Sequence, residues 1–234
     1  MSKYFLTFGS HNNYLDACFR LYKQAYALNL FDKVLFYEKT YLEKDTYFRT
    51  KHGDFIKSNS RGYGYWLWKP YLIKKTMDTM KDGDILMYLD CGCEIDINKK
   101  DLIKEFFEIV KNDYIIGSLT CIEKEYVKMD LLIELDMLKD DSINHWQHEA
   151  GALLFLINDK TRTIVNKWYE LSSNYHLIDD TPSVFPNFDC FIDHRHDQSI
   201  FSLLTKKYNI FSKKNICDII EYDRNKTKKS KFDV

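Results

Sequence analysis

Residues 84–94 constrain the fold more than any other stretch of this chain. An apolar run ends at Leu89 and leads directly into Asp90, and the residues that follow are small and include Gly92. This pattern predicts a buried strand that delivers an acidic side chain to the edge of a sheet. Ligands bind at that edge in open α/β sheets. A carboxylate beside so small a turn indicates a metal-diphosphate site, although an ordinary turn after a strand has the same composition.

The rest of the chain alternates strand and helix patterns, which predicts an α/β fold with parallel βαβ units. Strands are predicted over 4–8, 32–37, 84–89, 113–119, 151–156 and, in one or two short pieces, 208–220. Helices are predicted over 13–30, 65–80 with a start near Lys69, 98–110, 127–138, 160–171 and 198–206. Residues 40–63 are predicted to be irregular and 174–191 to form a long ordered loop. A single domain over 1–222, followed by a flexible basic tail over 223–234, is expected.

Composition narrows the classes of function. The net charge of -1 offers no overall footprint for nucleic acid, and no apolar run is long enough to cross a membrane. The N-terminal apolar run is too short for a signal peptide, so a cytoplasmic location with free thiols is expected. The basic tail is the exception, since a run of that kind also suits a membrane surface or a nucleic acid.

A glycine-rich aromatic segment, residues 61–70, is the second candidate for ligand binding. Gly62 and Gly64 allow the backbone to approach a flat or charged ligand, and the neighbouring aromatic rings would stack on a base or sugar. Arg61 and Lys69 would neutralise phosphate. The alternative is a helix entry packed by its aromatic rings.

Two further polar segments precede apolar elements. In residues 145–152, Glu149 would serve as a general base if its carboxylate reached an acceptor hydroxyl, and a polar loop with capping residues is the alternative. Residues 193–199 hold two histidines, an arginine and two aspartates. Removing so many charged and polar groups from water is too costly for an ordinary core, so the segment is expected to be solvated or functional. Asp197 also suits a helix cap, and metal binding by His194 or His196 is weakly indicated.

The order of these motifs resembles that of the GT-A glycosyltransferases. Asp90-Cys91-Gly92 stands in the place of their DxD motif, and residues 149–155 are similar to the NAG segment of glycogenin-like and galactosyltransferase-like members. Residues 197–201 are similar to their DQD segment. The resemblance spans residues 4–204 and depends on the order of short motifs. It implies an α/β, Rossmann-like fold of the GT-A type, with a mostly parallel central sheet flanked by helices.

The resemblance also implies an activity: transfer of a sugar from a nucleotide-sugar donor, with a UDP-sugar as first choice, to a hydroxyl group of a glycan or other acceptor. Mn²⁺ or Mg²⁺ would assist through Asp90 and through His194 or His196, whereas Gly92 departs from the motif by replacing its last acid. Asp197 would hold the donor sugar or act as the base. Glu149 is the other candidate base, and Gln198 would lie near the reacting face in a retaining enzyme.

The donor site implied in this way draws on strand ends and on the glycine-rich segments. Its predicted members are Thr7, Phe8, Gly9, Arg61, Tyr65, Lys69, Asp90, Cys91, Gly92, Gly151 and Asp197. Two other classes of function fit the same residues. One is a metal-dependent nucleotidyltransferase or phosphohydrolase, and the other is a non-catalytic glycan-binding scaffold. Neither the stereochemical outcome nor the oligomeric state follows from the sequence.

Overall fold

The computed structural model describes residues 1–232. The strands are β1 (Lys3–Gly9), β2 (Lys33–Glu38), β3 (Ile85–Leu89), β4 (Glu94–Ile95), β5 (Ile115–Gly117), β6 (Leu119–Ile122), β7 (Trp146–His148), β8 (Ala152–Leu156), β9 (Phe211–Asn215) and β10 (Ile220–Glu221). The helices are α1 (Asn13–Ala27), α2 (Lys39–Lys44), α3 (Thr46–Ser58), the short turn α4 (Gly62–Tyr65), α5 (Trp68–Met77), α6 (Lys100–Asp113), α7 (Met129–Glu134), α8 (Asp159–Ser172) and α9 (His196–Tyr208).

Within residues 1–232, the central sheet has six strands in the order β2-β1-β3-β8-β5-β9. β1 pairs in parallel with both β2 and β3, and β5 pairs in parallel with β9. β8 runs antiparallel to both of its neighbours, β3 and β5. The fold is therefore α/β with a mostly parallel central sheet flanked by helices, which confirms the predicted fold class.

Both faces of the sheet are covered, which explains why β3 is apolar throughout rather than alternating. One face packs against α5, α8 and α9, whose Leu72, Trp168 and Phe201 are buried in a shared core. The other face packs against α1 and α6, which contribute Leu21 and Phe107. A strand buried on both faces has little freedom to shift, so the residue that follows it is held firmly.

Residues 40–63, predicted to be irregular, fold mainly into α2 and α3, so that prediction is wrong. The Asp45 side chain caps α3 by accepting a hydrogen bond from the backbone N–H of Phe48 at 3.1 Å. His52, four residues further on, is fully buried and hydrogen-bonds to the hydroxyls of Tyr169 and Tyr175. These partners lie far along the chain, so the local pattern gave no sign of them.

Two other elements differ from their predicted bounds. The strand expected over 113–119 divides into β5 and β6, and β6 pairs with β7 outside the central sheet. The helix expected over 127–138 is the much shorter α7. In the part of the chain that the structure describes, none of the helices combines the length and the apolar character needed to span a membrane.

Candidate functional site

Strand direction brings distant segments of the chain to one edge of the sheet. β1 and β3 are parallel, so Ser10 and Asp90 follow their strands at the same edge. β8 runs the other way, so Gly151, which precedes it, lies there too. The backbone N–H of Asp90 donates to the carbonyl of Gly151 at 2.7 Å, which continues the ladder one step beyond β3. The edge predicted from the residue 84–94 pattern is therefore where the polar residues collect.

An open cleft of about 610 Å³ lies at this edge. Its described lining includes most of the predicted site: Phe8, Arg61, Lys69, Asp90, Cys91, Gly92, Glu149, Gly151, His196, Asp197 and Gln198. It also includes Ser10, which was expected at the end of the first strand, and residues that the sequence did not single out as ligand-binding: His11, Tyr14, Ser60, Cys93, Thr120, Arg195, Tyr222, Arg224 and Lys226.

Three charged side chains form what we call the buried ion cluster of the cleft: Lys69 and Asp197, which are buried, and Asp90, which is 34% exposed. Lys69 belongs to the first turn of α5 and is only 4% exposed, as is Asp197. Its ammonium nitrogen lies 3.4 Å from Asp90 Oδ1 and 3.2 Å from Asp197 Oδ2. The Tyr88 hydroxyl also donates to Asp90 Oδ1, at 2.5 Å. One buried cation therefore holds together two carboxylates that come from distant parts of the chain.

The environment of Asp197 makes it a weak acid. Burial raises the pKa of its carboxyl to about 7, against the attraction of Lys69. Oδ2 lies at ion-pair distance from Lys69 without hydrogen-bond alignment, and it has no hydrogen-bond partner among the described residues. For Lys69, burial acts to lower the pKa, but Asp197 and Asp90 outweigh it and raise the pKa overall. A carboxylate that titrates near neutrality is suited to accept a proton.

Glu149 provides a second carboxylate on the cleft wall. Its side chain accepts a hydrogen bond from the Ser118 hydroxyl, and burial raises its pKa. It is half-buried, unlike Asp197, and precedes β8 on the same edge of the sheet. The two candidate bases therefore differ in burial, since Asp197 is buried and Glu149 is half-buried.

Gln198 is held in place by a buried polar network that the sequence analysis missed. Its amide nitrogen donates to Gln147 Oε1 at 2.7 Å, and its oxygen accepts from the backbone N–H of Ala150 at 3.4 Å. Gln147 donates to Glu123, and Glu123 pairs with Lys206 at 2.8 Å. Glu123 and Gln147 are completely buried, so this network positions Gln198 from within the core.

An unusual backbone turn presents aromatic rings to the cleft. All five residues from Gly62 to Trp66 have positive φ angles. This conformation costs a non-glycine residue about 1–2 kcal/mol. The Trp68 indole nitrogen donates to the carbonyl of Gly62 at 3.0 Å and fastens the turn. As a result Tyr63 and Trp66 line the cleft. Strain of this kind is typical of functional sites.

Four predicted site residues do not line the cleft. Thr7 is fully buried, because alternate residues of β1 face opposite sides of the sheet and Phe8 takes the cleft side. Gly9 admits the backbone of α1, since a Cβ there would lie 2.4 Å from the Tyr14 carbonyl oxygen. Tyr65 stacks on the His196 ring at 5.0 Å and supports it from behind.

His194, the fourth, is unsuited to bind a metal. Its Nδ1 accepts from the backbone N–H of Lys128 at 3.2 Å, and its Nε2 donates to the Leu177 carbonyl at 3.0 Å. His196 differs, because only its Nδ1 is engaged, as donor to the Ile178 carbonyl. Burial lowers the pKa of His196, so its ring is neutral and Nε2 offers a lone pair. That nitrogen has no hydrogen-bond partner among residues 1–232.

The described residues do not fit a divalent cation of the kind that the DxD resemblance implied. No group of three or more side chains among residues 1–232 is arranged to hold one. A Cβ at Gly92 would lie 3.0 Å from the Arg224 Cα, so backbone fills the space that a second acid would need. Asp90 Oδ1 is already occupied by Tyr88 and Lys69. His196 Nε2 lies 3.7 Å from Asp180 Oδ1, but that oxygen already pairs with Arg61 at 2.8 Å, so this carboxylate is engaged as well.

Neighbouring protein atoms, rather than a ligand, leave room only for glycine at position 151. A Cβ there would lie 2.1 Å from the Tyr222 hydroxyl and 2.8 Å from Asp90 Oδ2. The hydroxyl of Tyr222 therefore takes the space that the sequence analysis assigned to a ligand. Nothing in the local sequence around Tyr222 indicated this role, because it depends on β10 returning to pair with β4.

Solved structures with a similar chain layout include two sugar transferases. Mouse xyloside xylosyltransferase 1 matches 92% of this chain and 86% of its own, with 13% identity and a TM-score of 0.49. The galactosyltransferase LgtC, solved with donor and acceptor sugar analogs, matches 86% of this chain and 70% of its own, with 14% identity and a TM-score of 0.45. Mannose-6-phosphate isomerase from Helicobacter pylori also matches, with 12% identity and a TM-score of 0.35.

No protein-family model and no curated protein sequence matches the chain. The similarity to these solved structures is weak, since all three TM-scores are below 0.5. This likeness concerns the fold alone, and the function is argued below from the residues of the cleft.

Proposed function

We propose that the protein transfers a glycosyl group from a nucleotide-sugar donor to a hydroxyl acceptor. The observation that carries the proposal is the buried ion cluster in the cleft, with Glu149 on the same wall. Asp90, Glu149 and Asp197 come from three distant motifs whose order resembled that of sugar transferases, and Lys69 comes from the glycine-rich aromatic segment. Their arrangement supports the proposal because a transferase of this kind needs a base and an anion site side by side.

The charge of the cleft favours an anionic ligand. Among the described lining residues, five carry a positive charge and three a carboxylate, in a chain whose net charge is -1. The aromatic rings of Phe8 and Trp68 pack 4.1 Å apart on the cleft wall, with Tyr63 beside them. A nucleotide diphosphate matches both features, since its base stacks on aromatic rings and its phosphates pair with cations.

The proposed reaction forms one bond and breaks one. The acceptor oxygen bonds to the anomeric carbon, and the bond from that carbon to the diphosphate oxygen breaks with its electron pair. In an inverting reaction the acceptor proton passes to a carboxylate, and Asp197 is the better candidate because its pKa is about 7. Lys69 holds Asp197 in position from within the protein. In a retaining reaction the proton passes to the departing diphosphate, and Gln198 faces the donor sugar.

The first experiment is a thermal-shift panel of nucleotide-sugars, followed by product analysis of each stabilising donor. A ligand that binds only the folded state raises the midpoint, so a selective donor will stand out. UDP-sugars are tested first. We expect a free nucleoside diphosphate to appear as product. Asp90→Asn should lower turnover by about a hundredfold, within the range that a general base contributes, because it removes a carboxylate that pairs with Lys69 and helps to raise the pKa of Asp197.

Asp101→Asn is the matched control, because Asp101 is an exposed carboxylate on α6 that pairs only with neighbouring Lys104. It should leave turnover unchanged. Release of pyrophosphate or inorganic phosphate instead would identify a nucleotidyltransferase or phosphohydrolase. Binding of a glycan without any turnover would identify a scaffold, and full activity of a folded Asp90→Asn variant would refute the assignment of the site.

A further inference from the structure

The segment over residues 223–231, which we call the basic strap, crosses the cleft at the place where the DxD resemblance predicted a metal. The backbone N–H of Asn225 donates to the Gly92 carbonyl at 3.0 Å, so the strap pairs directly with the turn after β3. Arg224 and Lys226, on either side of Asn225, both line the cleft. The strap therefore adds two positive charges at a position where the sequence lacks the second acid.

Buried side chains anchor the strap from below. Glu94 is fully buried and accepts from the Asn225 amide at 2.6 Å and from the Lys231 backbone N–H at 2.9 Å. Arg20, also buried, donates to the Cys91 and Cys93 carbonyls and to the Asn225 carbonyl. The same guanidinium thus holds both the turn and the strap. A buried carboxylate satisfied by several donors fixes the register of the segment that supplies them.

We propose that Arg224 and Lys226 of the basic strap neutralise the diphosphate of the ligand, so that the site works without a divalent cation. The proposal rests on the proposed function for the identity of the ligand, but its chemistry concerns only the anion. Lys69 is already paired with two carboxylates and Arg61 with Asp180 and Asp193, and Arg195, the remaining cation of the described lining, lies over the Tyr126 ring at 4.6 Å. Of the strap cations, Lys226 stacks on the Tyr14 ring at 4.9 Å, and no carboxylate pairs with it or with Arg224 among the described residues.

The strap offers its own control. Lys228 and Lys229 belong to the same segment, but neither lines the cleft, and Lys228 pairs with Asp16 on the surface. All four basic side chains are exposed, so replacing any of them should leave folding intact. A double variant Arg224→Ala with Lys226→Ala and a double variant Lys228→Ala with Lys229→Ala therefore remove equal charge from different places.

The test is calorimetric titration of the full chain with inorganic diphosphate, and separately with UDP, in the presence of EDTA. We expect the parent to bind both. The Arg224/Lys226 double variant should bind diphosphate at least about tenfold more weakly, the scale of losing hydrogen bonds to a charged group. The Lys228/Lys229 double variant should stay within about twofold of the parent, since exposed charges away from a ligand contribute little.

Salt dependence gives a second readout. Affinity of the parent for diphosphate should fall as salt rises, and the Arg224/Lys226 variant should show a shallower dependence because two exposed charges are gone.

Binding that requires Mn²⁺ or Mg²⁺, or equal affinity of the parent and the Arg224/Lys226 variant, would overturn the proposal. If the strap binds diphosphate but no sugar is transferred, the proposed function fails and the strap stands. If transfer occurs but requires a metal, the proposed function stands and the strap proposal fails.

Discussion

The buried ion cluster and the rim of the cleft hold similar charges in opposite surroundings. Lys69 and Asp197 are each 4% exposed, whereas Arg61 at the rim is 47% exposed and shared between two exposed carboxylates. Burial shifts the pKa of Asp197 to about 7, while rim charges remain screened by water and salt. We therefore expect the cluster to set the pH dependence of the proposed transfer and the exposed cations of the cleft to attract an anionic ligand.

Lys69→Met should have the largest effect on stability and activity of the substitutions considered. It leaves the buried Asp197 carboxylate without its cation, and removing one partner of a buried pair typically costs roughly 3–5 kcal/mol, whereas the partly exposed Asp90 is compensated by water. We expect a large loss in the free energy of unfolding, measured by urea denaturation, together with loss of transfer. Lys74→Met, on the exposed side of the same helix, is the control. A variant as stable as the parent would show that the cluster is not a coupled unit.

Asp197→Asn should lower transfer by about a hundredfold or more while leaving the fold intact, because it removes the group expected to accept a proton. Glu149→Gln tests the alternative base on the same wall. We expect kcat to fall much further in the first variant than in the second, measured at saturating donor. The opposite ranking would move the base to Glu149, and equal activity in both variants and the parent would remove this role from either residue.

The pH profile of transfer should follow the ionisation of Asp197. Burial raises the pKa of its carboxyl, so the protonated form, which is unable to accept a proton, is populated up to about pH 7. Activity should therefore rise with pH and level off above about 7, with a slope near one decade per pH unit below that value. The measurement is kcat/KM against pH in parent and Glu149→Gln. A profile flat from pH 5 to 8 would contradict the assignment.

Arg61→Ala should have the smallest effect of these changes. Its ion pairs with Asp180 and Asp193 are exposed, and pairs of that kind contribute about 0–1 kcal/mol to stability. We expect an unchanged melting temperature and a weaker affinity for the donor. The difference in affinity between the wild-type protein and the variant should become smaller as salt is added. A loss of activity as large as that of Asp197→Asn would place Arg61 with the buried cluster rather than with the rim.

Several elements could be predicted from the sequence because their signals are local. β3 is apolar throughout and ends in Asp90, and its prediction is confirmed. The helices over 98–110 and 160–171 show strong apolar periodicity and were found as α6 and α8 with small shifts at their ends. Gly151 joins Asp90 at the same edge only because β8 runs antiparallel to β3, which the predicted parallel βαβ pattern did not include.

Other parts of the site depend on partners far along the chain. α3 forms in a polar segment because Tyr169 and Tyr175 satisfy its buried His52. His194 was a candidate ligand by composition, yet backbone groups occupy both of its ring nitrogens. Neither result is visible in a window of neighbouring residues.

The amino-acid sequence by itself determined the fold class and the acidic edge of the sheet, since apolar runs and their period set which faces are buried. The tertiary structure alone decided which polar residues meet. Gly92 lies under the backbone of Arg224, and Glu94 is satisfied by Asn225, because the chain returns to this edge at its far end. Charge pairing and close packing act through space, so these contacts exist only once the chain has folded.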